Sequence, residues 1–582
     1  MRPYSITLRK ASIDEDELPL LCKQAQIKKY LKLPRAFLFG YDSIRNEMIL
    51  PFLKRNISYF EHLLLEMSNL NEHTFNQLLY LIKTRYGKYV RRIFITQLNG
   101  NQEKKYHCIL KHFPNITSIE VDAPYINCLK YCRTSKQIKF SYDFSDVAIL
   151  LNQLPLQINR LRYLEHLSIT MRDHDESYSA LRKIKNLLSK FQVQPALDIE
   201  IKPRNWGTST EDSFEFLEGV NALEVTFDEI FCPNLFLNTP NIAQTLKKYS
   251  IYFQHEVNNE VLSTLKNLKN LEYLKLDIWI KAQDYSNFFK NCTFPSSLQT
   301  LSVHFYHLCN KGLENREEVD LQEFFKSLKY QEQNELGIFS KEISKLQNLN
   351  DLRFRIRSTE LKPWHAYFAA LFLENKKLEK IDMLLGDQYH QQENSLNLST
   401  IISALKSSAS TLKNLIIDIN SNHFGEWIEI PCFRNLSKIE ILLNEGSTMD
   451  KMLPLITLAP KEVLKRLHFR GSFENDEVLV KFLQEVSRYR YLTELNLALS
   501  VKECQLAEEE LGEGIRNLSN LSSLMSMRLR VAGCKIDMQE LQTIQEDFSA
   551  KLRKLQSFSC QLNSQKIRIN EFRKLEIDYF WY

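Results

Sequence analysis

The sequence predicts an α/β solenoid: a curved parallel sheet of short strands on the concave face, connecting helices on the convex face, and a helical cap at the N-terminal end. Three observations carry this. A short apolar string recurs at a near-constant spacing, helix signals fall between its copies, and the chain is both long and poor in glycine. At 582 residues it exceeds a single core and would fill about four globular domains, whereas stacked repeats grow without enlarging any one core. Its 14 glycines are about a third of the usual roughly 7% share, which argues against folds whose loops cradle phosphates through close backbone approach.

The string is a large aliphatic residue, two variable residues, a second aliphatic, then apolar residues alternating with variable ones. Clear copies are Leu271-x-x-Leu274-x-Leu276-x-Ile278, Leu298-x-x-Leu301-x-Val303-x-Phe305, Leu349-x-x-Leu352-x-Phe354-x-Ile356 and Leu412-x-x-Leu415-x-Ile417-x-Ile419. Starts fall at 220, 246, 271, 298, 349, 378, 412, 436, 464, 492, 524 and 555, spaced 24 to 34 apart except for one gap of 51 that spans two periods and predicts a degenerate repeat between 299 and 348. Weaker copies start at Val90, Ile116 and Leu164. Alternation over the last five positions predicts a strand with one apolar and one variable face. Between strings, Val478, Leu479, Phe482, Leu483 and Val486 have helical spacing behind Asn475 and Asp476, which suit an N-cap. Asp537 with Glu540 has capping-box spacing ahead of Met538, Leu541, Ile544 and Phe548.

On these strings the chain resembles leucine-rich-repeat proteins of the long, helix-containing, ribonuclease-inhibitor-like type. The resemblance spans residues 89–562 and is clearest over 246–562. It implies stacked strand–turn–helix units that bind through their concave sheet. The family's ninth-position Asn or Cys is matched only by Asn420 and Asn444, which implies an irregular, divergent array.

Residues 1–88 lack the string and show helical patterns, with Phe60, Leu63, Leu64 and Met67, then Phe75, Leu78, Leu79, Leu81 and Ile82. They read as a helical cap or as a segment that docks an adaptor, as in F-box proteins. Residues 563–582, with the Phe572-x-x-Leu575-x-Ile577 run and the closing Phe580, Trp581 and Tyr582, read as a C-terminal cap or tail.

Seventy-six basic and 71 acidic residues leave a net charge of +5, short of a dedicated nucleic-acid binder. No signal peptide is apparent at the N-terminus and no apolar run approaches a membrane span. The expectation is a cytoplasmic protein, with nuclear or cytoskeletal association compatible. Eleven cysteines, odd in number and scattered, read as reduced thiols. No nucleotide-binding, zinc-protease, kinase or nucleophile-elbow motif occurs, so the expected function is non-enzymatic, with no catalytic residue, cofactor or metal. Cys108, His112, Cys128 and Cys132 pair at helical spacing and are the best zinc-like set, although apolar packing of the cysteines with a surface histidine is the favoured reading.

Function then falls on the variable strand positions. Glu120, Asp122, Glu224 and Thr226 make the early face acidic. Later strands present Lys275, Asp277, Ser302, His304, Arg353, Arg355, Asp382, Asp418, Glu440, His468, Arg470, Asn496, Arg528 and Arg530. Arg353, Arg355 and Arg357 form the densest basic cluster. With His468, Arg470, Arg528, Arg530 and the loop aromatics Trp206 and Trp427, they are the expected partner-binding residues. The expected role is a scaffold or adaptor within a larger assembly, binding protein through the concave sheet and strand-to-helix loops. A ubiquitin-ligase substrate receptor and an RNA-binding subunit of a ribonucleoprotein are the rival readings.

Overall fold

A computed structural model of the chain describes residues 36–39, 62–65, 72–88, 90–95, 103–141, 153–172, 175–202, 218–227, 242–253, 262–280, 292–307, 342–357, 377–385, 398–419, 431–443, 456–534, 536–555, 557–562 and 565–567, apart from a few positions inside these spans. The chain divides into two compact units, residues 1–248 and 249–574. Both are solenoid-like runs of short parallel strands, the architecture that the repeated string predicts.

In the first unit the strands are β1 (Ala36–Phe39), β2 (His62–Leu65), β3 (Arg92–Ile95), β4 (Ser118–Asp122), β5 (Gln137–Ser141), β6 (His166–Arg172), β7 (Ala196–Lys202) and β8 (Ala222–Phe227). Each pairs in parallel with the next. Ile93, Ile119, Ile138, Leu167 and Leu197 are all buried and lie at successive register positions. At β7–β8 the register steps by two, pairing Ile199 with Leu223. An even step preserves which side chains face inward. The strand at His62–Leu65 stands where the sequence predicts a helical turn over 60–67, whereas the helix expected around Phe75–Leu81 is present as Glu72–Leu81.

The second unit contains β9 (Lys248–Phe253), β10 (Tyr273–Ile280), β11 (Thr300–His307), β12 (Asp351–Arg357), β13 (Lys380–Leu385), β14 (Asn414–Ile419), β15 (Lys438–Leu443), β16 (Arg466–Asn475), β17 (Glu494–Glu503), β18 (Ser526–Ala532), β19 (Ser557–Leu562) and β20 (Gln565–Ile567). From β10 to β19 every neighbouring pair is parallel, and β20 folds back antiparallel on β19. Two inward rows form the core. One runs Leu274, Leu301, Leu352, Ile381, Leu415, Ile439, Leu467 and Leu495; the other runs Leu276, Val303, Phe354, Met383, Ile417, Ile441, Phe469 and Leu497, all buried. Such uninterrupted apolar stacking is the main favourable term holding the strands together.

A backbone device repeats at the start of most of the described strands: two successive N–H groups donate to one carbonyl of the preceding repeat. Gln299 and Thr300 share Glu272 O, Glu379 and Lys380 share Asn350 O, Ser437 and Lys438 share Lys413 O, and Thr493 and Glu494 share Lys465 O. The position just before the first aliphatic adds a side-chain bond to an earlier carbonyl. Ser297 Oγ donates to Leu271 O at 2.7 Å, Thr411 Oγ1 to Leu378 O at 2.9 Å and Asn348 Nδ2 to Ser296 O at 3.2 Å. Asn435 Nδ2 likewise donates to Ser410 O.

Helices lie against the apolar side of the last strands. In the helix Asp476–Ser487, Leu479, Phe482, Leu483 and Val486 are buried, and the Phe482 ring meets Phe469 edge-on at 5.3 Å. Asn475 caps it, its side chain accepting from Val478 N at 3.1 Å. Asp537 caps the helix Met538–Lys551 by accepting from Glu540 N at 2.7 Å, while the Glu540 carboxylate turns to Arg516 Nε at 3.0 Å.

Candidate interaction face

Because helices pack on the Phe469 side of β16, the opposite side of the strands carries the polar positions. The register sorts them into rows in the second unit. The first is Tyr273, Thr300, Asp351, Lys380, Asn414, Lys438, Arg466, Glu494 and Ser526. The second is Lys275, Ser302, Arg353, Asp382, Ile416, Glu440, His468, Asn496, Arg528 and Ser559, and the third is Asp277, His304, Arg355, Leu384, Asp418, Leu442, Arg470, Ala498, Arg530 and Gln561.

On β10–β13 these charges satisfy one another. Lys275 Nζ lies 2.5 Å from Asp277, whose other oxygen is 2.8 Å from His304 Nδ1. Burial works to raise the Asp277 pKa, but contacts from His304 and Lys275 outweigh it and hold the carboxyl below its usual range. Arg353 Nη2 reaches Asp351 at 3.1 Å, Lys380 reaches the same carboxylate at 3.4 Å, and Arg355 Nη2 reaches Asp382 at 2.7 Å. The predicted arginine cluster is therefore part of an ion-pair lattice, with its nearest acids on its own and the next strand. The Arg357 side chain, Trp206 and Trp427 lie outside the described residues, as do the side chains of Asp122 and Thr226.

The centre of the face is less polar. Leu384, Ile416 and Leu442 point outward and are half-exposed. Beside them, on β15–β17, His468 sits between two carboxylates, with Nε2 3.0 Å from Glu494 and Nδ1 3.7 Å from Glu440. Lys438 holds Glu440 at 2.7 Å and Arg466 holds Glu494 at 3.3 Å. Against the lowering effect of burial, the two carboxylates raise the His468 pKa above 6.5. The contact with His468, opposed by burial and aided by Lys438, depresses Glu440 from 4.5 to about 2. Glu494 is depressed for the same first reason.

In the first unit the acidic character is partly neutralised. Lys139 pairs with Glu120 at 3.0 Å and His166 with Asp198 at 2.7 Å, but Glu200 and Glu224 stand side by side in register.

Ser302 Oγ lies 3.2 Å from His304 Nε2, so Ser302, His304 and Asp277 stand in the order of an acyl-transfer relay. Ser302 is only 2% exposed, and β11 is hydrogen-bonded to strands on both sides, so its amides are committed to the sheet rather than aimed at a developing oxyanion. The group acts as a polar ladder. Cys128 and Cys132 are buried, and burial pushes the Cys132 thiol up to about 12. Among the described residues no three His, Cys, Asp or Glu side chains converge to hold a metal, and no helix is long and apolar enough to cross a membrane.

Sequence reasoning missed the first row, in which Asp351, Lys438 and Glu494 pair with the expected residues while Lys380 and Arg466 pair within the row, with Asp351 and Glu494. The signal was present: period 2 extends one residue ahead of the second aliphatic in each string. No family model matches the chain, and no curated protein matches it in sequence.

Proposed function

We propose that the chain is a divergent leucine-rich-repeat protein that acts as a non-enzymatic scaffold or adaptor, binding another protein across the outward face of its strands. One observation carries this reading: on β13–β15 the half-exposed Leu384, Ile416 and Leu442 lie among charged side chains, on the side away from the buried rows. An apolar centre with a polar surround is the composition of a protein-binding patch. The ion-pair lattice on β10–β13 supports the reading, since charges already paired with each other hold a fixed pattern for a partner to match.

The test is capture of partners from the native source on full-length protein, in parallel with an Ile416→Glu/Leu442→Glu variant. Partners retained by the wild type and lost by the variant, with unfolding unchanged, uphold the proposal. An identical set on both proteins, or none on either, removes it.

A further inference from the structure

The segments that lead into β14, β15, β16 and β17 gather positive charge along one edge of the second unit. They comprise residues 404–413, 431–437, 456–465 and 485–493. The first two present Lys406, Lys413 and Arg434, and the last two present Lys461, Lys465, Arg488 and Arg490, all exposed. The acids in the same segments are Glu462 and Glu485, so seven cations exceed two carboxylates by five, the net charge of the entire chain. The adjoining segments add nothing to this excess. Lys377 and Glu379 cancel ahead of β13, and residues 517–525 ahead of β18 hold no charged side chain. At the strand starts themselves, Lys438 is matched by Glu440 and Arg466 by Glu494.

Contacts within the chain reduce the excess without removing it. Lys413 meets Glu379 at 2.7 Å, Glu485 takes both Arg488 and, at 3.9 Å, Lys461, and Lys406 also interacts within the chain. Even with Glu379 turned toward this edge, three carboxylates face seven cations. Backbone bonds lock the segments side by side: Lys413 N donates to Glu379 O, Ser437 N to Lys413 O, Lys465 N to Ser437 O and Thr493 N to Lys465 O, at 2.8 to 2.9 Å. Neighbouring strands are about 4.8 Å apart, so the cations recur at that step over roughly 15 Å. A stacked nucleic-acid strand carries one phosphate per ~3.4 Å, and about four nucleotides fit that length. Tyr491, next to Arg490, is 58% exposed and offers a ring on which a base can stack.

We infer that this edge binds a single-stranded nucleic acid, with Arg434, Lys465 and Arg490 contacting its phosphates and Tyr491 stacking on a base. The edge is separate from the outward face of the strands, and the inference does not depend on the protein-binding reading of that face. A nucleic acid is favoured over an anionic membrane because Tyr491 is the one large apolar side chain exposed on these four segments, whereas a membrane-surface site inserts several. An acidic peptide would match the charge but bring no planar base to Tyr491.

The test uses full-length protein and a fluorescent 12-nucleotide oligouridine, with anisotropy read across a salt series. The RNA should bind, and log K should fall against log salt with a slope of about −3, the value for about four phosphate contacts on a single strand. Arg434→Ala/Lys465→Ala/Arg490→Ala should weaken binding about tenfold or more and reduce the slope by about 2. Arg434→Lys/Arg490→Lys, which keeps the charge, should keep the slope. Tyr491→Ala should weaken binding about fivefold or more while leaving the slope unchanged. Arg470→Ala/Arg528→Ala/Arg530→Ala, on the outward sheet face, should stay within about twofold, the scale of a surface pair. No RNA binding at low salt overturns the inference, as does an unchanged slope in the triple edge variant or an equal loss in the sheet-face variant. A Glu-rich peptide of equal charge, or phosphatidylserine vesicles, displacing the RNA as effectively as unlabelled oligouridine also overturns it. Partner capture that is lost in Ile416→Glu/Leu442→Glu but kept in the triple edge variant leaves the protein-binding reading standing whichever way the RNA result falls.

Discussion

Gly533 is one of the few glycines whose geometry demands it. It follows β18 at φ +79°, and a Cβ there would meet the Val501 carbonyl oxygen at 2.1 Å. Gly533→Ala therefore has to distort the backbone or push β17, and should destabilise the protein by about 1–3 kcal/mol in a denaturant melt. The Glu440–His468–Glu494 group makes a second residue-level prediction, with opposite signs for its members. His468 is raised above 6.5, so its contribution is complete below that value and is lost as pH rises through the higher folded value. Glu440 is lowered from 4.5 to about 2, so its contribution is present above 4.5 and is lost as pH falls toward 2. Unfolding free energy measured against pH should decline on both sides. His468→Gln should flatten the neutral limb and also shrink the acid limb, because the His468 contact is the first cause of the Glu440 and Glu494 shifts.

At the scale of elements, caps and polar rungs set where helices and strands begin. Asn475→Ala should cost about 1 kcal/mol, because Val478 N loses its acceptor. Thr411→Val removes the donor to the Leu378 carbonyl and should cost a similar ~1 kcal/mol in chemical denaturation. These rungs also show what the sequence made legible. The string located β3, β4, β6 and β8–β19, because each places an aliphatic residue three positions ahead of its first inward strand residue. It missed β5 and β7, where that position is Ser135 and Gln194. Ser135 is buried nonetheless, with its hydroxyl 3.5 Å from the Ile116 carbonyl, so a polar residue fills an apolar slot by bonding to the backbone. At β2, consecutive Leu63, Leu64 and Leu65 obscure the alternation and mimic a helix face. The site was legible as a list of outward residues but not as pairs. Arg355 meets Asp382, 27 residues away, only after two strands are in register.

For the whole molecule, the chain divides into two compact units, each a run of parallel strands of the kind that the repeated string implies. Each has its own inward rows, so residues 249–574 produced alone should show a cooperative thermal transition. A broad, non-cooperative melt would mean that this unit lacks a self-sufficient core. The central claim is that the strands stack in a fixed parallel register with one side left open. Cysteine cross-linking tests it directly. Ser500 on β17 is in register with Ala532 on β18, whereas Ser559 on β19 belongs to a different row. A short bismaleimide added to Ser500→Cys/Ala532→Cys, with peptide mapping to set aside the 11 native cysteines, should link the two positions in high yield and leave Ser500→Cys/Ser559→Cys largely unlinked. Equal yields from both variants, or no link in the in-register pair, would contradict the account.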